Sequence, residues 1–563
     1  MHCTGREGKD KLFNFRPLFF TAVSICVGIV FCFLHIFYGV SLWWLFLLAG
    51  LAIPFIFCGK EGLVKTAVAV AVLILVFFVG FTCFGVQVRD YTDGKAYDGV
   101  YSVRGTVEEK MVGKTYGYVV LSDISVEGKG EKFKLTAYLP LSFCEKVELF
   151  DEILLVGEVT TPSINTSANN FSAHALRNGM KYQMQSVENC EVVGHKFDLF
   201  GVIRIRLQKA LYRGMDDDPA AVVLAVLTGN TQGIDSGLLT NMRYGGIAHI
   251  FAVSGLHVGA LFAFCLFLTS KTALKRTPKP IRFLFVASIL LFYGGICGFS
   301  ASILRATILC LVGYAAKLIG ASVDKFEALG LAAILVLLIS PVELFCVGFQ
   351  FSFLACLGIF LWNKPLEKWG NQVCDELQKR LHARRSVLSS KRTENAIVQA
   401  QNSAIQEEKL ITFSERIRRA GIAFISVSLS AQIGTAPVLL QTFGYLSGWS
   451  ILLNFFFVPF IGTVFAWLLT LGVVACVLPL SAAPILLYLP NVVWSAVLLL
   501  FEAFDFSSFT IQNVSLSVGA FACYFAAFSL LTDKWNLTTK QKKGFFWLCA
   551  VGFIVTVAVG NIL

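Results

Sequence analysis

Charged side chains are scarce in this sequence. Asp, Glu, Lys and Arg together make up only 15% of its 563 residues, whereas 56% are hydrophobic, and a soluble protein has about 25% charged residues. This deficit excludes an ordinary soluble protein. Apolar runs of about 20 residues recur along the chain, which is the length needed to cross a hydrocarbon core about 30 Å thick. The composition therefore predicts a polytopic α-helical membrane protein.

Signatures of hydrolytic and nucleotide-driven chemistry are also missing. The seven histidines include no H-x-H-x-D-H run, and VGKTY at 112–116 lacks the upstream glycine of a phosphate-binding loop. We therefore expect no catalytic residues, no metal site and no cofactor in this chain. Energy for any transport would have to come from a partner motor or from the proton gradient.

Thirteen apolar runs are candidate membrane spans. They lie at about 18–38, 42–58, 66–86, 244–270, 283–299, 303–320, 326–341, 345–362, 420–441, 449–476, 483–505, 511–532 and 545–562. Several are short or interrupted by glycine, so we expect 11 to 13 spans. Basic residues gather in the loops that thirteen spans would place inside, and the positive-inside rule therefore predicts a cytoplasmic N-terminus and an extracytoplasmic segment 89–216. The first run is followed at once by a second, which is typical of a retained span rather than a signal peptide.

These features divide the chain into five regions. They are N-terminal transmembrane helices at 1–90, an extracytoplasmic β-domain at 91–196, an amphipathic helix at 197–217, a second transmembrane domain at 218–532 with a basic cytoplasmic loop at 364–419, and a basic loop with a terminal transmembrane helix at 533–563. The amphipathic helix fits the membrane interface, although a helix packed under the β-domain has the same pattern. The basic loop should be helical or partly disordered, and solvated topogenic charge explains it better than contact with nucleic acid or anionic lipid.

Residues 97–193 show the clusters and alternation of β-branched and aromatic side chains that are typical of strands. Five short strands in about 100 residues fit a small barrel of the OB type, with a small sandwich as the alternative. Cys144 and Cys190 are the only cysteines in this segment, and an oxidising compartment would allow a disulfide between them. Acidic residues slightly outnumber basic residues between 89 and 216, so strong nonspecific binding of DNA is not expected there.

The motif HIFAVSGLHVG, residues 249–259, brings ionisable residues and glycines into an apolar stretch. Polar groups at membrane depth usually mark a path or a site, and glycine allows a broken helix or a close backbone approach. Further polar residues and prolines occur in later apolar runs. The predicted set is His249, Ser254, Gly255, His257, Gly259, Ser302, Arg305, Gln350, Ser352, Gln432, Pro437 and Asn454. Together they predict a polar conduit through the bundle, whereas each alone could serve only helix packing.

The motif resembles H-x-x-A-[VI]-S-G-x-H-V of the ComEC family of bacterial competence proteins. Its positions are occupied by His249, Ala252, Val253, Ser254, Gly255, His257 and Val258, and LRAT, GFQFSF, Gln432 with Pro437, and Asn454 with Pro459 follow in family order. The resemblance covers roughly residues 20–530. It implies a channel in the bacterial cytoplasmic membrane that admits one strand of transforming DNA, with a membrane DNA receptor and a cytoplasmic ATPase motor as partners. Many members carry a C-terminal metallo-β-lactamase-like domain, which we expect this chain to lack, so a separate nuclease is a further expected partner.

In such a channel, Arg305 would attract phosphate, and His249 and His257 would line or shape the path. On the β-domain, the candidate contacts with single-stranded DNA are Lys114, Tyr116, Tyr118, Lys132 and Lys134, with Phe133 and Tyr138 beside them. Two alternative functions stay open. A secondary transporter of a small anionic solute would use similar broken helices. A membrane-embedded hydrolase would pair Ser254 with His257 as nucleophile and base, and Glu343 would have to arrive from another span.

Overall fold

The computed structural model of the protein describes residues 16–42, 63–93, 95–112, 116–144, 146–161, 172–251, 253–271, 273–389, 400–512, 518–530 and 549. The predicted spans at 42–58 and 545–562 fall outside these residues apart from 42 and 549, and so does most of the predicted terminal region 533–563. Lys114 also lies outside them.

Helices account for most of the chain that is described. They are α1 (Pro17–Tyr38), α2 (Leu63–Asp93), α3 (Leu141–Cys144), α4 (Ala173–Asn178), α5 (Leu199–Gly214), α6 (Asp217–Thr228), α7 (Ser236–Tyr244), α8 (Gly255–Lys271), α9 (Lys279–Ile296), α10 (Ala301–Ile319), α11 (Lys325–Ile339), α12 (Val347–Ser389), α13 (Ala400–Phe443), α14 (Ser450–Val477), α15 (Ala483–Ala503) and α16 (Val518–Leu530). Eight helices within the described ranges are long and apolar enough to cross a membrane, and α8 is a shorter apolar helix. The protein is therefore built from many apolar helices, as a polytopic helical membrane protein requires, and the number of 11 to 13 spans stays a prediction.

A small β-sheet region follows α2. Its long strands are β1 (Asp98–Val112), β2 (Tyr116–Val126), β3 (Lys134–Pro140), β4 (Asp151–Thr160) and β5 (Met180–His195). Strand β1 pairs antiparallel with both β2 and β4, β2 pairs antiparallel with β3, β3 pairs parallel with β5, and β5 pairs antiparallel with β4. Each long strand thus has two neighbours, and the pairings return to β1. A two-residue strand, Lys129–Gly130, adds to β2.

The interior of this sheet region follows from the period of two along each strand. In β4, buried residues alternate with partly buried or exposed residues along almost the whole strand. Ile153 and Leu155 of β4 meet Val119 of β2, Leu135 of β3 and Tyr182 of β5 in one core, and each of these side chains is buried.

The β-domain is joined to the helical bundle through α4 and the 3-10 turn Pro341–Phe345. Leu176 of α4 is buried in a cluster with Ala301 and Val342 of the bundle. Arg177 Nε lies 2.6 Å from Glu343 Oε1. Because α11 runs from its cap Asp324 to this turn, the β-domain lies at the end of α11 that is remote from Asp324. Arg16, just before α1, donates to the Asp324 carboxylate at the opposite end of α11 from the β-domain.

The predicted amphipathic helix corresponds to α5, and the predicted basic loop corresponds to parts of two long helices. One face of α5 packs on α14 and α15 of the bundle with Leu207 and Leu211 buried, while Leu199 is half exposed. The segment 364–419 continues α12 and α13, which pack along each other, and residues 390–399 between them lie outside the described ranges. Arg418 Nη1 of α13 lies 2.6 Å from Asp375 Oδ1 of α12. The charged segment is therefore helical on both sides of that gap.

Candidate functional site

The motif at 249–259 breaks the helical path of the chain. Residues Ala248–Ile250 form a 3-10 turn, and α8 begins only at Gly255. Ser254 caps α8, because its hydroxyl Oγ accepts a hydrogen bond from the Leu256 backbone N–H at 3.2 Å and its carbonyl accepts one from the His257 N–H at 3.1 Å. The two histidines of the motif thus lie on opposite sides of a helix start.

His257 completes this helix cap. Its Nδ1 accepts a hydrogen bond from the Ser254 backbone N–H at 3.0 Å, which is the reciprocal contact of a capping box. A backbone N–H can only donate, so Nδ1 carries no proton and the ring is the neutral tautomer with hydrogen on Nε2. The ring is fully buried against Phe465, with centroids 4.7 Å apart, and Nε2 has no hydrogen-bond partner in the described part of the chain. His257 therefore shapes the turn rather than facing open space.

The same contacts argue against a hydrolase. Ser254 Oγ lies 3.2 Å from His257 Nδ1, which is the distance expected of a nucleophile and its base. That Nδ1 already accepts the Ser254 N–H, however, and Glu343 pairs with Arg177 of the β-domain instead of orienting the histidine. Within the described ranges, no three His, Cys, Asp or Glu side chains come together as metal ligands.

Arg305 of α10 packs against Gly255, the first residue of α8. Its side chain is only 6% exposed, and a Cβ built on Gly255 would lie 2.7 Å from its Nη2. Nη1 donates to the Cys356 thiol, and the guanidinium carbon lies 5.9 Å from the centroid of the Phe353 ring. Nε is buried without a hydrogen-bond partner, and no carboxylate of the described residues pairs with this guanidinium. A buried cation normally has a counter-charge, so this arrangement fits an anionic ligand.

Two predicted serines lie beside Arg305. Ser352 Oγ donates to Ser302 Oγ at 3.1 Å, which joins α12 to α10 one turn from Arg305. Phe353 and Cys356 complete this group, and sequence analysis missed both. Cys356 lies four residues after Ser352 and three residues after Phe353, so it neighbours each of them on the surface of α12, and this spacing is the signal that could have found Cys356. We call Gly255, Ser302, Arg305, Ser352, Phe353 and Cys356 the arginine cluster.

A second polar group gathers near the start of α14. Gln432 Nε2 of α13 donates to Ser450 Oγ at 2.7 Å, and a Cβ on Gly246 would overlap Ser450. His249 is exposed, and its Nδ1 lies 3.1 Å from the Gly246 carbonyl. Asn454, one turn into α14, is 8% exposed and its Oδ1 has no partner among the described residues. We call Gly246, His249, Gln432, Ser450 and Asn454 the amide cluster.

The remaining predicted path residues join neither cluster. Gln350 Nε2 donates to the Leu344 carbonyl at 3.0 Å, so this amide supports the turn before α12. Pro437 lies inside α13. Both glycines of the motif were predicted to allow a broken helix or a close backbone approach. A Cβ built on Gly259 would have no described atom within 4 Å, so the close approach is found at Gly255 and not at Gly259.

On the β-domain, the predicted aromatic contacts are accessible while the lysines have partners. Tyr116 is 66% exposed, and the rings of Tyr118 and Tyr138 lie 6.3 Å apart on paired strands. Lys132 Nζ lies 2.9 Å from Asp90 Oδ2, and Lys134 Nζ lies 2.7 Å from Glu108 Oε1. Phe133 packs edge-on against Tyr91 at 5.5 Å.

Cys144 and Cys190 belong to the same β-domain core, where Cys144 is buried and Cys190 packs beside it. Both are free thiols in the structure, and burial raises the pKa of each thiol. The disulfide between them stays a prediction.

Comparison with known proteins agrees with the resemblance of the motif. The model of the family described as Competence protein matches residues 226–536, which is more than half of the chain and contains both clusters. ComE operon protein 3 of Bacillus subtilis (strain 168) is 25% identical over 427 residues, 73% of this chain and 47% of the relative. An uncharacterized protein, the MG316 homolog of Mycoplasma pneumoniae (strain ATCC 29342 / M129), is 35% identical over 123 residues, 21% of this chain and 29% of the relative.

No solved structure matches the chain. The chain spans about half the length of the Bacillus relative and less than a third of the Mycoplasma relative. Because the family model matches more than half of the chain and ComE operon protein 3 is similar over 73% of it, the chain belongs to the ComEC family of competence proteins.

Proposed function

We propose that the protein acts in DNA uptake during natural competence, as a transmembrane channel that conducts one strand of transforming DNA across the bacterial cytoplasmic membrane. Family membership and the many apolar helices support this role. The observation that carries it is the guanidinium of Arg305, buried without a carboxylate among the described residues. A passing phosphate is the counter-charge that this group lacks.

The surroundings of Arg305 suit transit better than retention. Arginine binds phosphate with several N–H donors at once, but here one donor is used by the Cys356 thiol and one face lies near the Phe353 ring. A lone cation held in this way attracts each phosphate without enclosing it. Conduction needs such binding, favourable enough for entry and weak enough for release.

The amide cluster would form a second part of the path. The unpartnered Oδ1 of Asn454 and the exposed ring of His249 offer hydrogen-bonding groups to bases or to the sugar–phosphate backbone. These would be hydrogen bonds between neutral groups, since neither side chain carries a permanent charge. His257 would contribute indirectly, by fixing the start of α8 and with it the position of Gly255 against Arg305.

The β-domain would be an OB-like barrel on the extracytoplasmic side. The closed set of pairings among five strands supports this interpretation. The exposed ring of Tyr116 and the pair of Tyr118 and Tyr138 offer faces on which bases could stack. Because Lys132 and Lys134 are engaged by carboxylates, the contact would depend on stacking more than on charge.

The proposed partners are single-stranded DNA, a membrane DNA receptor, a cytoplasmic ATPase motor and a separate nuclease. The chain would work without chemistry of its own. A secondary transporter of a small anionic solute is the second candidate, because Arg305, which pairs with no carboxylate of the described residues, would also bind a small carboxylate or phosphate.

Deletion of the gene, followed by complementation, tests the proposal. We expect the deletion strain to lose transformation and to accumulate DNA outside the membrane. Wild type should restore uptake, Arg305→Gln should not, and Arg416→Gln, which removes an exposed arginine of α13, should restore it fully. Normal transformation of the deletion strain would overturn the channel. Loss of small-anion transport with normal transformation would favour the second candidate.

A further inference from the structure

A groove of about 340 Å³ runs between α8 and α10 on the surface of the bundle. It is lined by Phe262, Leu266, Leu309, Cys310, Gly313, Tyr314 and Lys317. Gly313 is exposed at its floor, and Phe264 and Phe267 on the same helix as Phe262 point partly outward. The groove is therefore apolar along its length, and the ammonium of Lys317 lies near one end.

The cation belongs to a larger basic group at this end of the bundle. Lys279 at the start of α9 donates to the Leu318 carbonyl at 2.7 Å, so its ammonium lies beside Lys317. The group consists of Lys271, Lys275, Arg276, Lys279, Arg282 and Lys317. None of the six forms an ion pair with a described residue, and the sequence contains no Asp or Glu between 255 and 323. Arg282 Nε is in addition buried without a hydrogen-bond partner among the residues that the structure describes.

We propose that this groove binds an anionic phospholipid, with one acyl chain along α8 and α10 and the headgroup phosphate at Lys317 and Lys279. An apolar trough on a membrane-embedded surface takes hydrocarbon, and basic pockets at the ends of transmembrane helices take anionic headgroups. The six cations supply a positive charge that no carboxylate of the described residues compensates through an ion pair. No lining residue of the groove and none of the six cations belongs to the arginine cluster or the amide cluster.

Nucleic acid fits the groove less well than lipid. The ring of Tyr314 already stacks on Phe283, with centroids 6.3 Å apart and planes inclined by 18°. Apart from the Lys317 ammonium near its end, the other lining side chains offer no hydrogen-bonding group for a base except the thiol of Cys310. A polar polymer would have to leave water to enter this trough, whereas an acyl chain is already in an apolar medium.

Thermal unfolding of the purified full chain in detergent tests the site. The probes are phosphatidylglycerol and, as the zwitterionic reference, phosphatidylcholine. We expect phosphatidylglycerol to raise Tm at lower concentration than phosphatidylcholine. Gly313→Trp should abolish this difference, because a Cβ there meets no atom within 4 Å and the indole would fill the trough. Gly421→Trp, at an equally open glycine of α13, is the control.

Variants that remove lysines test the headgroup contact without introducing a bulky side chain into the groove. Lys279→Gln with Lys317→Gln should reduce the preference for phosphatidylglycerol by about fivefold for each lysine removed, while Lys379→Gln on α12 should leave it unchanged. Equal effects of the two lipids on wild type, or an unchanged preference in the double variant, would overturn the proposal. So would a lysine-dependent rise in Tm caused equally by inorganic phosphate or by a single-stranded oligonucleotide.

Discussion

The backbone of Gly255 lies against the guanidinium of Arg305, and a Cβ on Gly255 would come within 2.7 Å of Arg305 Nη2. The first residue of α8 therefore determines how closely the buried arginine approaches the broken segment of the motif. Gly259, one turn further along the same helix, would accept a Cβ without meeting any atom within 4 Å. The two glycines of the motif form a natural pair of test and control.

Gly255→Ala should impair uptake because the methyl group forces the Arg305 guanidinium from its place. Such overpacking typically costs about 1–3 kcal/mol. We expect transformation frequency to fall at least about tenfold, which corresponds to about 1.4 kcal/mol. Gly259→Ala should leave uptake at the wild-type level. Equal transformation by the two variants, at matched amounts of protein in the membrane, would show that uptake does not depend on the close approach of Gly255 to Arg305.

His257 should matter through its hydrogen bond to the Ser254 N–H rather than through its charge. His257→Ala leaves that partly buried donor without its acceptor, which costs about 1 kcal/mol, and should lower Tm. His257→Gln offers a side-chain oxygen at the same position of the capping box and should recover most of the stability and uptake. If both variants are equally stable but equally inactive, the imidazole acts on the path directly.

Arg177 and Glu343 should hold the β-domain on the bundle. Glu343 is only 8% exposed and Arg177 is 29% exposed, so removing the guanidinium leaves a largely buried carboxylate. We expect Arg177→Ala to cost about 1–3 kcal/mol, which allows for partial exposure, and to speed hydrogen exchange in residues 341–346. Arg104→Ala breaks an ion pair on the same domain that is half exposed and should change little. Unaltered exchange in Arg177→Ala would mean that apolar contacts alone hold the joint.

Glu343 should also make stability depend on pH. Burial raises the pKa of its carboxyl, although Arg177 acts in the opposite direction. The folded protein therefore holds this proton more tightly than the unfolded chain. The contribution of the protonated carboxyl to stability is fully present below the unfolded pKa of about 4.3, and it is lost as pH rises through the pKa of the folded protein. Glu343→Gln should remove this loss when Tm is measured from about pH 4 to pH 8.

Glu152 provides the matched control for that pH series. Its pKa is lowered by the hydrogen bond from Arg104, so its contribution is present above the unfolded pKa and is lost as pH falls. Glu152→Gln should therefore leave the decline at higher pH intact. A profile of Glu343→Gln that overlays wild type would show that Glu343 stays charged or stays protonated throughout.

The sequence predicted the kinds of elements better than the contacts of the site. Alternation along 151–160 and apolar runs such as 301–319 lie in single elements, so local pattern was sufficient for them. His249 and His257 look equivalent in the motif but lie on opposite sides of the start of α8, one exposed and one fully buried. That difference depends on the packing of Phe465 from a distant helix. No local pattern encodes it.

Arg305 illustrates the same limit at the site itself. The sequence alone shows a charged residue within an apolar run, with Ser302 three residues before it on the same predicted helix. Its contacts with Gly255, Phe353 and Cys356 join three helices that are separated by up to about a hundred residues in sequence. The glycine that approaches it could not be chosen from two candidates until the packing of α8 on α10 was known.

Tyr116 and Tyr138 should carry the binding of single-stranded DNA to the β-domain. Stacking of a base on an aromatic ring contributes about 1–3 kcal/mol, so Tyr116→Ala and Tyr138→Ala should each weaken oligonucleotide binding by the full-length protein by at least about fivefold. Lys132→Ala should have a small effect, because Asp90 already engages that ammonium at 2.9 Å. Since few free cations would contact phosphates, affinity should fall only shallowly with salt. A steep salt dependence together with a large loss in Lys132→Ala would instead mean that the lysine leaves Asp90 to bind the strand.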